Sequence, residues 1–131
     1  MAVVYALAAD LFFAERLERA LRDLGHSPHV ADLSAAGAGP VAPGREAQLP
    51  LPEGAGLAII DLEAGEAAMA QIRAARERGI PVLAFGAHVA VASRRAAEAL
   101  GARVVTKAQL TRSFADLVAD MLPPERGPAA P

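Results

Sequence analysis

Few side chains in this sequence are able to do chemistry, and they stand at the ends of apolar runs. Asp61 closes Leu57-Ala58-Ile59-Ile60, Asp10 follows Val3-Val4-Tyr5-Ala6-Leu7 and Ala8-Ala9, His88 lies just past Ile80–Phe85 and Gly86, and Lys107 follows Arg103-Val104-Val105-Thr106. Lys107 is the only lysine of the chain, the other strongly basic side chains all being arginine. A compact ammonium and a planar guanidinium are not interchangeable at a tight site, so a single lysine points to a specific use. The use expected is an ion pair: Asp61 and Lys107, projecting toward each other from adjacent parallel strands, neutralise one another, and removing either leaves the other partly buried and unpaired. His88 has the chemistry to bind an anion or act as an acid/base group, against the plainer role of a solvent-facing or helix-capping histidine. His26 and His29 flank Pro28 with no third ligand at a metal-binding spacing. There is no cysteine, which excludes disulfides, thiolate nucleophiles and most structural zinc sites and fits a reducing cytoplasm. No nucleophile-base-orienter set, G-x-G-x-x-G or P-loop is visible, so the chain reads as a non-enzyme.

These residues need elements to position them. Short apolar runs alternate with segments of helical period, the pattern of a parallel sheet covered by helices on both faces. Strand one is Val3–Leu7. Phe13, Leu17, Leu21 and Leu24 then form one apolar stripe of a helix that Asp10 caps and Gly25 closes. A short second strand is expected near Pro28–Ala31, a third over Leu57–Asp61, a fourth over Ile80–Phe85 and a fifth over Arg103–Val105. Met69, Ile72 and Ala75 or Arg76 mark one intervening helix, Ala90–Leu100 another, and Leu110, Phe114, Leu117, Val118 and Met121 a single last one that Pro123 and Pro124 stop. Right-handed crossovers turn this order into a three-layer, doubly wound, five-stranded parallel sheet of order 2-1-3-4-5, a flavodoxin-like α/β fold. Ligands in such sheets bind at the carboxyl ends of the strands, which places Ala8, Ala9, Asp10, Asp61, Gly86 and whatever follows strand five at the candidate site.

From Ser34 to Gly56, Gly37, Gly39, Pro40, Pro43, Gly44, Pro50 and Pro52 interrupt any sustained helix or ladder. An irregular loop is expected there in place of a second helix: a surface excursion, a mobile segment or a binding element. Residues 1–122 form one domain in this reading, and 123–131 a disordered tail. The formal net charge of -2 and the lack of a Lys/Arg cluster argue against nucleic acid or an anionic membrane as partner. No run reaches the roughly 18 to 20 uncharged apolar residues of a membrane span, and Ala2–Ala9, with no basic region before it, reads as a buried strand rather than a signal peptide.

Four stretches together are similar to the receiver domain of response regulators: Val3–Leu24 with Gly25, Leu57–Asp61, Gly79–Phe85, and Gly101–Lys107. The resemblance covers residues 1 to 122. It implies that Asp61 stands where receivers accept a phosphoryl group and Lys107 where their lysine holds it. That chemistry needs cations on the equatorial oxygens, and receivers supply Mg²⁺ through an acidic pair at the end of strand one. Here the pair falls on Ala8 and Ala9, with Asp10 one place later. The Ser or Thr that ends strand four in the family falls on Gly86. The Pro that follows the family's lysine is Ala108, which puts the cis bond associated with it in doubt.

The expectation is a non-catalytic pseudo-receiver, a signalling domain that binds protein partners without metal-dependent phosphorylation and holds no metal or cofactor. Its first candidate interface, carried from the family, is Val104–Met121, a possible homodimer face. Two alternatives stand beside it: a genuine receiver phosphorylated on Asp61, with Mg²⁺ held by Asp10 and backbone carbonyls, and a flavodoxin-like small-molecule binder.

Overall fold

The computed structural model describes residues 2–32, 51, 54–86 and 91–122. Its sheet is parallel and five-stranded: β1 (Val3–Ala8), β2 (Ser27–Asp32), β3 (Ala55–Asp61), β4 (Val82–Gly86) and β5 (Arg103–Thr106), in the order β2-β1-β3-β4-β5. The helices are α1 (Leu11–Asp23), α2 (Glu66–Glu77), α3 (Val91–Ala99), α4 (Lys107–Arg112) and α5 (Phe114–Met121), with a 3₁₀ turn over Leu62–Ala64. The expected fold class and strand order hold.

Strand periodicity sorts the core into two halves. Val4, Ala6, Ala8, Leu57, Ile59, Leu83, Phe85 and Val105 pack with Leu17 and Leu21 of α1, Leu110 of α4 and Leu117 and Val118 of α5 on one face. Tyr5, Leu7, Ala58, Ile60, Val82 and Ala84 pack with Ile72 and Ala75 of α2 and Ala97 of α3 on the other. Because β1, β3 and β4 are buried on both sides, they are nearly continuous apolar runs rather than alternating ones. Each fully buried Leu or Ile stabilises by about 1.5–3 kcal/mol relative to exposure.

Some boundaries differ from the sequence expectation. β3 starts at Ala55, so the last two residues assigned to the Gly/Pro-rich loop belong to the ladder. Leu24, the fourth member of the α1 stripe, is the C-cap and lies largely outside the core. The single last helix is two: Ser113 (φ -120, ψ 30) breaks it, its amide closing α4 on the Gln109 carbonyl while its own carbonyl receives the Leu117 amide. Apolar periodicity runs unbroken through this break because both helices turn the same face to the sheet. Pro28 is tolerated because β2 is an edge strand. The rest of the loop, His88 and the tail 123–131 lie outside the described residues.

Candidate functional site at the carboxyl ends of the strands

Asp61 ends a central strand and is 1% exposed. Each carboxylate oxygen accepts one backbone amide: Oδ2 that of Ala9 at 3.0 Å and Oδ1 that of Glu63 at 2.9 Å. The first bond ties the β1–α1 turn to β3, and the second caps the 3₁₀ turn. Burial raises the carboxyl above its ordinary 3.8, the two amides and then, least of all, the Lys107 charge pull it down, and Glu63 adds a smaller push upward.

Lys107 is the first residue of α4. Thr106 caps that helix through a capping box, its Oγ1 accepting the Gln109 amide at 3.0 Å while Gln109 Oε1 accepts the Thr106 amide at 2.9 Å. The motif Thr-x-x-Gln is a local signature of such a cap, absent from the sequence expectations above. The Lys107 ammonium sits over the Phe13 ring, 4.4 Å from its centroid. Phe13 in turn packs on Phe85 with centroids 5.2 Å apart at 49°.

The expected contact ion pair between Asp61 and Lys107 is therefore not formed: each group has another partner. The strands carrying them are not adjacent either, because β4 lies between β3 and β5 and the register runs Asp61–Phe85–Val105 across the three. Both groups do lie at the same end of the sheet, close enough for the lysine charge to act on the carboxyl.

Of the remaining predicted positions, Ala8, Ala9, Asp10 and Gly86 lie at the carboxyl ends of β1 and β4, and His88 is outside the described residues. Ala8 is wholly buried in the α1-side core, Ala9 contributes its amide to Asp61, and Gly86 ends β4 opposite Thr106. Asp10 is the exposed N-cap of α1, its Oδ1 accepting the Phe13 amide at 2.8 Å. No peptide bond is cis among the described residues, in keeping with Ala108 after the lysine.

Whether these residues suit a magnesium ion is decided by their donors. Mg²⁺ requires hard oxygens with free lone pairs in near-octahedral array. Asp61 is buried with each oxygen on an amide, Asp10 is turned to its own helix, and methyl groups stand at 8 and 9. Among the described residues no three His, Cys, Asp or Glu side chains gather as a metal would require. The set does not fit the ion. Away from the strand ends, a groove of about 350 Å³ runs between α1 and the α4–α5 pair, floored by Leu17 and Leu110 and rimmed by Arg16 and Arg19.

Comparison with solved structures agrees with this fold. A response regulator receiver protein from Burkholderia phymatum is 20% identical, with a TM-score of 0.65 over 92% of this chain and 94% of that one. The chain has the receiver-domain fold. A chemotaxis protein of Vibrio cholerae is similar at 16% identity and a TM-score of 0.65, over 93% and 99% of the two chains. A response regulator from Thermotoga maritima matches at 16% and 0.65, over 92% and 97%. No protein-family model matches the sequence, and no curated protein matches it significantly. At this identity the receiver fold is what is shared.

Proposed function

We propose that this domain is a pseudo-receiver: a regulatory protein-interaction module whose state is not set by metal-dependent phosphorylation. The carrying observation is that Asp61, at the acceptor position of the receiver fold, is 1% exposed with both carboxylate oxygens held by backbone amides. In-line attack on a phosphoryl group needs a free carboxylate lone pair facing it, with cations around the developing charge. Alanines at 8 and 9 and glycine at 86 supply neither a metal ligand nor a hydroxyl. The domain works through its surface, and Val104–Met121, where α4 and α5 expose Ala108, Gln109, Arg112, Ala115 and Asp116, is the first candidate face for a protein partner or a second copy. A cytoplasmic setting is part of the same reading.

The test is to incubate the protein with acetyl phosphate, or with beryllofluoride, in the presence of Mg²⁺. The expected outcome is no mass increase and no change in amide spectra. A stoichiometric response that disappears in Asp61→Asn overturns the proposal in favour of a working phosphoacceptor.

A further inference from the structure

Two ionisable groups stand at the top of this sheet without meeting, and one of them lies over an aromatic ring. Phe13 is 6% exposed and belongs to the α1-side core, where Phe85 supports it from the sheet. Its backbone amide is fixed by the Asp10 carboxylate, so the start of α1 holds the ring in place. Lys107 is set from the other side by the Thr106–Gln109 capping box at the start of α4. Between these two anchored helix starts the ammonium lies 4.4 Å from the centre of the ring, within reach of the negative π face that attracts a cation. A cation at the first position of a helix is disfavoured by the peptide dipoles, which adds to the need for a partner of this kind. Asp61, at the same end of the sheet, accepts two backbone amides and feels Lys107 only as its weakest influence.

We propose that Phe13 is a resident partner for Lys107, a built-in plug that holds the only ammonium side chain of the protein away from Asp61 and from any anion arriving at the strand ends. The inference rests on the pseudo-receiver reading and names how the site is kept in one state: the lysine is satisfied from within, in the absence of any phosphoryl group. Asp10 and Phe85 are the positioning residues of the plug, the first through the Phe13 amide and the second through the ring.

Because there is one lysine, its side-chain signals are unambiguous in a proton–carbon spectrum, and ligand-free, magnesium-free protein suffices. The Lys107 δ and ε methylene protons should lie upfield of their free positions, with cross-relaxation to the Phe13 ring. Phe13→Met keeps an apolar filler and removes the π face; in it the upfield shift should vanish and amine acetylation of Lys107 should become several-fold faster. Asp10→Ala, which leaves the ring intact but loosens its anchor, should reduce the shift partially. Lys107 signals at free positions in the wild type, with no contact to the ring, overturn the proposal, as does a Phe13→Met protein whose acetylation rate is unchanged. If the substitution prevents folding, the wild-type spectrum alone decides. Failure here leaves the phosphorylation reading standing on residues 8, 9, 61 and 86, whereas a beryllofluoride response overturns that reading without bearing on the spectrum of the free protein.

Discussion

Asp61 shows how one carboxylate is redirected by its surroundings. At a strand end with accessible lone pairs it is a nucleophile or a metal ligand; buried between two amides it becomes a strut joining the β1–α1 turn to the 3₁₀ turn. Its carboxyl is raised above 3.8, chiefly by burial, so between pH 3.8 and the raised native value the folded state binds more protons than the unfolded state. The stability it contributes is complete below 3.8 and is lost as pH rises through the native value. Asp61→Asn does not titrate and can accept only one of the two amides, leaving a constant penalty of about 1–3 kcal/mol for the other. Urea unfolding of both proteins from pH 3 to 7 should show the wild type's advantage over Asp61→Asn shrinking as pH rises and then levelling. An advantage that grows with pH would mean that the amides outweigh burial. The identity and place of Asp61 were readable from the sequence as the end of an apolar run. Its partners were not, because the Ala9 amide lies 52 residues away, and backbone donors leave no mark on residue type.

At the scale of elements, the helix starts do the positioning. Asp10 and Thr106 both accept an amide three residues on, a local pattern that any sequence carries openly. Thr106→Ala removes one half of the capping box at α4 and should lower stability by about 1 kcal/mol in denaturant melts. Since Lys107 is the next residue, the same substitution should weaken its ring-current shift; a destabilised protein with an unchanged Lys107 spectrum would show that the cap does not aim the lysine. The break at Ser113 was hidden for the opposite reason. Leu110, Phe114, Leu117 and Val118 keep helical spacing across it, and a change of backbone angle at one polar residue does not alter that spacing.

Taken whole, the described residues form a sheet with one core cluster on each face. Ile59 of β3 belongs to the α1 side and Ile72 of α2 to the other. Ile59→Val and Ile72→Val should each cost about 0.5–1.5 kcal/mol, and the double variant should cost their sum to within about 0.5 kcal/mol, as expected of separated sites with no shared partners. Coupling well beyond that, read from urea midpoints, would mean that the sheet transmits packing changes between its faces.

Composition and periodicity by themselves determined the class of fold and the row of positions at the strand ends, because burial on both faces of a parallel sheet forces apolar runs; the strand order came with the flavodoxin-like pattern. They determined equally that positions 8, 9 and 86 bring no ligand or hydroxyl to that row. Only the tertiary structure decided which groups meet there. Strand β4 and its Phe85 stand between Asp61 and Lys107, and the carboxylate turned to amides while the ammonium turned to a ring. Opposite charges at one edge of a sheet pair only when nothing nearer satisfies them, and nearness is a property of the folded chain.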